Sequence, residues 1–310
     1  MLKPHLPTLK DIENHTIPSG FPTVVDAHVH IFPDNMFKAV RRWFDEHAWH
    51  IRYQLPTTGV FDFLLSHGVG HIIALQYSHA PGLAGHLNQY MARQCRPYAG
   101  RVTGLATIFP GEKNAETILQ DAFDAGLGGL KLHAHVQCFD INADDTERIF
   151  DVCRSNHKPV VIHIGKEPKS PAYRCDPDTI CAAGKLERTL KNFPDLNICV
   201  PHLGFSETVE YKTLIEQYDN LWLDTTMALT DYFHIENRID LAAYRMDRIM
   251  YGSDFPNIPY AWDRELKWLG DSNLSEPDLK MVLRHNAIQF FDLSDSMKNS
   301  REMPAADDDA

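Results

Sequence analysis

Thr23-Val24-Val25-Asp26-Ala27-His28-Val29-His30-Ile31-Phe32 is a β-branched, mostly apolar run, and behind Pro33 the residues Met36, Val40, Trp43 and Phe44 follow at i, i+4, i+7 and i+8. The first pattern suits a strand and the second one face of a helix, so together they read as one strand-helix unit. The unit recurs. Strand-like runs stand at Thr23–Phe32, His71–Tyr77, Val102–Phe109, Gly129–His135, Pro159–Ile164, Leu196–Leu203, Leu221–Met227 and Arg248–Phe255. Between them, Ile118, Leu119, Ala122 and Phe123 precede a stop at Gly126, and Ala143–Asn156, Ile180–Phe193, Glu207–Tyr218 and Ile235–Tyr244 read as further helices. Strand alternating with helix predicts a parallel sheet. Eight such units predict a closed (β/α)8 TIM barrel of the α/β class, and no G-x-G-x-x-G follows the first strand to favour an open dinucleotide-binding sheet.

The barrel accounts for residues 21–293, with Leu274–Leu293 as a closing helix whose start is marked by Ser275-Glu276-Pro277-Asp278. Residues 1–20 read as an extended N-terminal arm and 294–310 as a polar, acidic tail without fixed structure. The 310 residues therefore form one domain. Two connections, 33–70 and 165–178, are longer than the barrel needs, and both follow strand C-terminal ends, where barrels of this kind carry their active sites.

Composition narrows the functional classes. Thirty basic against 42 acidic side chains give a net charge of −12, so nothing draws the chain as a whole to nucleic acid or an anionic membrane. No apolar run approaches the ~18 residues of a membrane span, and the first ten residues carry no signal-peptide core. Six cysteines without a C-x-x-C pair read as reduced core thiols in a cytoplasmic protein. The 17 histidines are the excess that needs explaining.

Six of them cluster at predicted strand ends. A side-chain period of two would place Asp26, His28 and His30 on one face of the first strand, where two imidazoles can converge on one ion; an H-x-H alone is a weak signal. His163 ends the fifth strand and Asp254 the eighth, in Tyr251-Gly252-Ser253-Asp254-Phe255-Pro256. In a parallel barrel these ends share one mouth, and three histidines with a carboxylate suit zinc or another first-row divalent ion. His202, ending the sixth strand, reads as a fifth ligand, a catalytic acid or a packed residue. On the fourth strand Lys131, His133 and His135 share one parity. A lysine facing a barrel interior needs a carboxylate, a bound anion or, if carbamylated, a second metal; the alternative is a lysine snorkelling at the rim. By contrast His5, His15, His67, His79 and His157 read as surface residues.

The ordered set D-A-H-V-H, G-L-K-L-H, V-I-H-I-G, P-H-L-G and Y-G-S-D-F-P resembles the amidohydrolase superfamily, specifically its amidohydrolase-2 branch of metal-dependent hydrolases and decarboxylases. The resemblance implies a mononuclear site with His28, His30, His163 and Asp254 as ligands and His202 as the catalytic histidine, and it suggests a homodimer. Lys131 stands in a setting typical of the mononuclear group, which weighs against a second metal, and the glutamate of nuclease relatives is absent from this position.

The expected activity is metal-dependent hydrolysis of a small anionic carboxylate, lactone or amide, with Asp254 and His202 catalytic and one divalent ion as cofactor, zinc first and manganese or another first-row ion as alternatives. Lys131, His133, His135 and Arg174 are candidates for substrate binding, and Asp26 for the acceptor of a ligand N–H. The alternative is non-oxidative decarboxylation or hydration of an aromatic or ring-opened acid at the same site, and a third reading is a non-catalytic metal-binding barrel. The partner expected is a small molecule, with neither nucleic acid nor membrane.

Overall fold

The computed structural model of the chain describes residues 11–166, 172–232 and 239–293. Its strands are β1 (Val25–His30), β2 (His71–Leu75), β3 (Val102–Gly104), β4 (Ala106–Thr107), β5 (Leu130–His133), β6 (Val160–His163), β7 (Ile198–Val200), β8 (Leu221–Asp224) and β9 (Ile249–Met250). Every pairing between them is parallel. β3 and β4 are two halves of one barrel strand parted at Leu105: Leu105 N donates to Ala74 O on β2 (2.9 Å) and Ala106 N to Gly129 O before β5 (2.8 Å). The cylinder closes where Ala27 N donates to Tyr251 O (2.9 Å) and His30 N to Phe255 O (2.7 Å). The eight expected strands are thus all present, shorter at their ends than the apolar runs.

Two apolar sets line the two faces of this sheet. One mixes alternate strand residues such as Ile72, Ala74, Leu130, Leu132, Val160 and Ile162 with helix residues including Leu64, Leu119, Phe150 and Leu186. The other holds Val25, Ile73, Leu75, Leu105, Val161, Cys199, Trp222 and Met250, with helix residues supplied only by the final helical segment, Phe290 and Phe291 among them. The second set is therefore the barrel lumen, filled by side chains in the manner of closed eight-stranded sheets.

Most helices lie where the periodicity puts them: Asp34–His47, Ala115–Asp124, Asp144–Ser155, Ala183–Asn192 and Thr208–Gln217. The closing segment starts at Glu276, with the Ser275 hydroxyl accepting from Asp278 N (3.3 Å) and Pro277 in the first turn. The helix expected over Ile235–Tyr244 falls partly on 233–238, outside the described residues; in the remainder there is one 3-10 turn, Leu241–Ala243. The tail expected at 294–310 also lies outside them. Of the arm, residues 11–20 are docked. Asp11 Oδ2 accepts from Ala261 N (2.7 Å) and pairs with Arg264 (3.4 Å), while Asn14 N donates to Asp263 Oδ2 (3.0 Å). The arm thereby clasps the segment that follows β9.

The two long connections meet. Trp43, on the helix of the first, stacks on Tyr173 of the second with ring centroids 5.8 Å apart and planes at 16°. Trp49 of the first also donates to Asn257 O (2.7 Å), beyond β9. Both insertions therefore border the mouth formed by the strand C-termini.

Candidate metal centre

His28, His30 and Asp254 bring three donor atoms together. His28 Nε2 lies 3.2 Å from His30 Nε2 and 3.5 Å from Asp254 Oδ1, and His30 Nε2 lies 3.1 Å from the same oxygen. All three residues are buried. Metal–nitrogen and metal–oxygen bonds of about 2.0–2.2 Å set neighbouring ligand atoms about 3.0–3.5 Å apart, so the triangle has the size of a coordination face for a first-row divalent ion. The proton inventory agrees. His28 Nδ1 donates to Asp224 Oδ2 (2.9 Å), which leaves Nε2 as a lone pair aimed into the triangle. That lone pair is buried against a second imidazole, a carboxylate and the Lys131 amine, a donor set into which a divalent ion would fit.

Local backbone geometry delivers these side chains. β1 and β2 pair Asp26 with Ile72 but Val29 with Ala74, one residue more on β1 than on β2, a β-bulge. Ile72 belongs to the helix-facing set, and Leu75, the partner of His30, to the lumen. The bulge therefore turns Asp26 away from the face that His30 shares with the lumen, which corrects the uniform period of two expected for Asp26, His28 and His30. Asp26 Oδ1 accepts from the backbone amides of His28 (3.1 Å) and Ser253 (3.0 Å), tying together the two segments that carry the triangle, and burial raises its carboxyl to about 7. The ring acceptor expected of Asp26 is Asp224 instead.

At β9 the chain turns sharply. Asp254 has φ 64, in the left-handed region that non-glycine residues seldom occupy, and its N–H donates to His28 O (2.9 Å). A Cβ on Gly252 would stand 2.7 Å from His28 Cβ and 2.3 Å from Thr226 Oγ1, so only glycine lets β9 pass this close to β1. Burial alone would raise the Asp254 carboxyl, but the hydrogen bond from His30 first, and the imidazoles packed around it, carry it well below the usual carboxylate range. It is ionised at neutral pH. His28 shifts the other way: burial first, then the Lys131 charge, hold it well below its ordinary value and keep it neutral, as a ligand must be.

Lys131 is fully buried, so the rim position is excluded. Its Nζ lies 3.4 Å from His28 Nε2, and burial pulls the amine down to about 8 against the opposing charges of Asp224 and Asp254. It forms part of the metal-site wall.

His202 sits in a strained turn, at φ 58, followed by left-handed Leu203, Gly204 and Phe205. Its Nδ1 donates to Thr226 O (2.8 Å), its backbone N–H to Asp224 Oδ1 (3.2 Å), and its Nε2 is 3.3 Å from His163 Nδ1. Asp224 thus holds His28 with one oxygen and His202 with the other. In the sequence its one signal is its place at the end of β8, just as His163 ends β6.

His163, expected as the fourth ligand, is not part of the triangle. It pairs in register with His133 and stacks on it, centroids 4.0 Å apart and planes at 8°, with His135 edge-on at 5.2 Å. Nitrogen atoms of these three histidines also lie within 4.8 Å of one another. Parallel rings stacked at that distance cannot both hold one ion in their planes, so as it stands this trio is an aromatic cluster and no chelate. His135 reaches it differently from the expected strand. β5 ends at His133, whose N–H donates to Gln137 Oε1 (2.7 Å), and Ala134–Gln137 is a helical turn. Arg174 is exposed on the second long connection, and its charge acts on His79 beyond β2, together with the larger effect of burial, to lower that imidazole.

Comparison with known proteins agrees with this architecture. The Amidohydrolase family model of the amidohydrolase-2 branch matches residues 25–293. Among solved structures, 5-carboxyvanillate decarboxylase from Novosphingobium aromaticivorans, complexed with manganese and a nitrobenzoic acid, is similar at 15% identity and TM-score 0.62, over 91% of this chain and 100% of that one. A TIM-barrel protein of Bordetella bronchiseptica is similar at 16% identity and TM-score 0.67, over 87% and 98% of the two chains. A probable 2-pyrone-4,6-dicarboxylic acid hydrolase from Acinetobacter baumannii, with citric acid bound, follows at 15% and 0.59, over 87% and 99%. No curated protein sequence matches the chain.

Proposed function

The chain belongs to the amidohydrolase family, and from that premise we propose that it is a metal-dependent hydrolase acting on a small anionic carboxylate, lactone or amide. The observation that carries this reading is the buried donor triangle of His28, His30 and Asp254 with Asp224 behind it. These three residues would hold one divalent ion; His163 would join them as the fourth ligand only by rotating off the His133 ring on which it stacks. Zinc suits the nitrogen-rich set, and manganese, present in a similar structure, is the alternative. When bound, the ion supplies Lewis acidity that polarises a substrate oxygen and makes water nucleophilic near neutral pH.

The chain's own groups supply the proton transfers. Asp254, held ionised, is the base that takes a proton from the attacking water and returns it to the leaving group. His202, its Nδ1 proton committed to Thr226 O, works through Nε2; protonated, it donates to the developing oxyanion, and Asp224 beside it favours that charge. His133 and His135 present an aromatic wall continued by Tyr173 and Trp43, and Arg174 adds a positive charge at the edge. Such a wall with one cation suits a flat, anionic substrate. Four of the six thiols are buried, which fits a reducing cytoplasm, and among the described residues no helix is long and apolar enough to cross a membrane.

The second reading is non-oxidative decarboxylation of an aromatic acid at the same residues, favoured by the aromatic wall and by the decarboxylases among the similar structures. Turnover of acid and lactone panels in 18O-labelled water separates the two: label in the product supports hydrolysis, carbon dioxide release supports decarboxylation. Neither, from protein carrying a full equivalent of metal, would overturn both.

A further inference from the structure

We propose that Cys138 and Cys175 form an oxidation-sensitive dithiol that closes to a disulfide on meeting a small disulfide such as oxidised glutathione. Cys95, Cys153, Cys181 and Cys199 are buried, whereas Cys138 is exposed and Cys175 half-buried. Both accessible thiols donate to one oxygen, the carbonyl of His135, at 3.4 Å from Cys138 Sγ and 3.1 Å from Cys175 Sγ. The shared acceptor brings the two thiols side by side. The two come from separate segments. Cys138 ends the turn Ala134–Gln137 in left-handed backbone, φ 55, and Cys175 leads into the turn Pro177–Ile180. A bond between them would tie the second long connection, with Tyr173 and Arg174, to the end of β5.

The exchange balances without another reagent. The Cys138 thiolate attacks one sulfur of oxidised glutathione, forms a mixed disulfide and releases one glutathione thiolate. Cys175 gives its proton to water and attacks the Cys138 sulfur, forming the intramolecular bond and releasing the second glutathione. Two protein thiols are oxidised and one glutathione disulfide is reduced to two thiols. Cys138 is the more exposed of the two thiols, which makes it the point of entry.

Full-length protein incubated with oxidised glutathione, quenched with N-ethylmaleimide and digested with trypsin without reductant tests this. The expected product is peptide 132–148 joined to peptide 175–185, free of glutathione and separated by reductant. Because the second peptide also contains Cys181, the joined species should persist in Cys181→Ala and vanish in Cys175→Ser, which should instead carry glutathione on Cys138. A link that survives Cys175→Ser would overturn the proposal. So would wild-type protein in which Cys138 remains unmodified or keeps its glutathione.

Discussion

Two clusters of three side chains face the same barrel mouth, one of two histidines and an aspartate and one of three histidines, and the orientation of their rings separates them as much as the carboxylate does. In the triangle of His28, His30 and Asp254, Asp224 fixes the first imidazole edge-on, and the donor atoms converge to 3.1–3.5 Å. In the trio of His133, His135 and His163, the first and last rings lie face to face at 8°. The first arrangement is suited to a cation and the second to a flat ligand. Histidine at a strand end therefore marks the mouth, while the orientation of its ring among its neighbours decides what the histidine does there.

Substitution breaks this contrast most strongly at the carboxylate. Asp254→Asn should reduce turnover to background and leave well under one equivalent of metal by elemental analysis, whereas His133→Leu should keep the full equivalent. A histidine outside both clusters gives the next effect. His71, buried at the start of β2 with Gly100 O and Thr103 as partners, is held down at about 4, chiefly by burial. Its ordinary value is 6.5, so between these values the unfolded chain binds the extra proton. Stability present above pH 6.5 is lost as pH falls towards 4, by about 3 kcal/mol from this group. Denaturant melts of the wild type and His71→Gln should diverge over that interval, and parallel curves would refute the assignment. Asp224→Asn, which keeps the shape and removes the charge behind His28, should weaken metal affinity about 10–100-fold in a chelator competition. The smallest effect belongs to the aromatic trio: His133→Leu should raise KM a few-fold and leave kcat nearly unchanged.

The barrel was legible because every strand is an apolar run set between helical patterns, and the triangle because H-x-H and the aspartate of Tyr251-Gly252-Ser253-Asp254 end the first and last barrel strands, which closure makes neighbours. Other features depend on local geometry that residue types do not encode. The bulge in β1 turned Asp26 away from His30, and the turn locked by Gln137 ended β5 before His135. His163 was placed at the mouth by its strand, but its stacking on His133 is a choice of side-chain rotation among neighbours. Asp224 carries the same strand-end signal as His163, but a single carboxylate after Leu221-Trp222-Leu223 does not show which ring it holds.

The most direct measurement is anomalous X-ray diffraction from crystals grown with zinc or manganese. One anomalous peak is expected, within bonding distance of His28 Nε2, His30 Nε2 and Asp254 Oδ1. A peak held by His133 and His135 instead, or none in the triangle at full metal loading, would contradict that expectation.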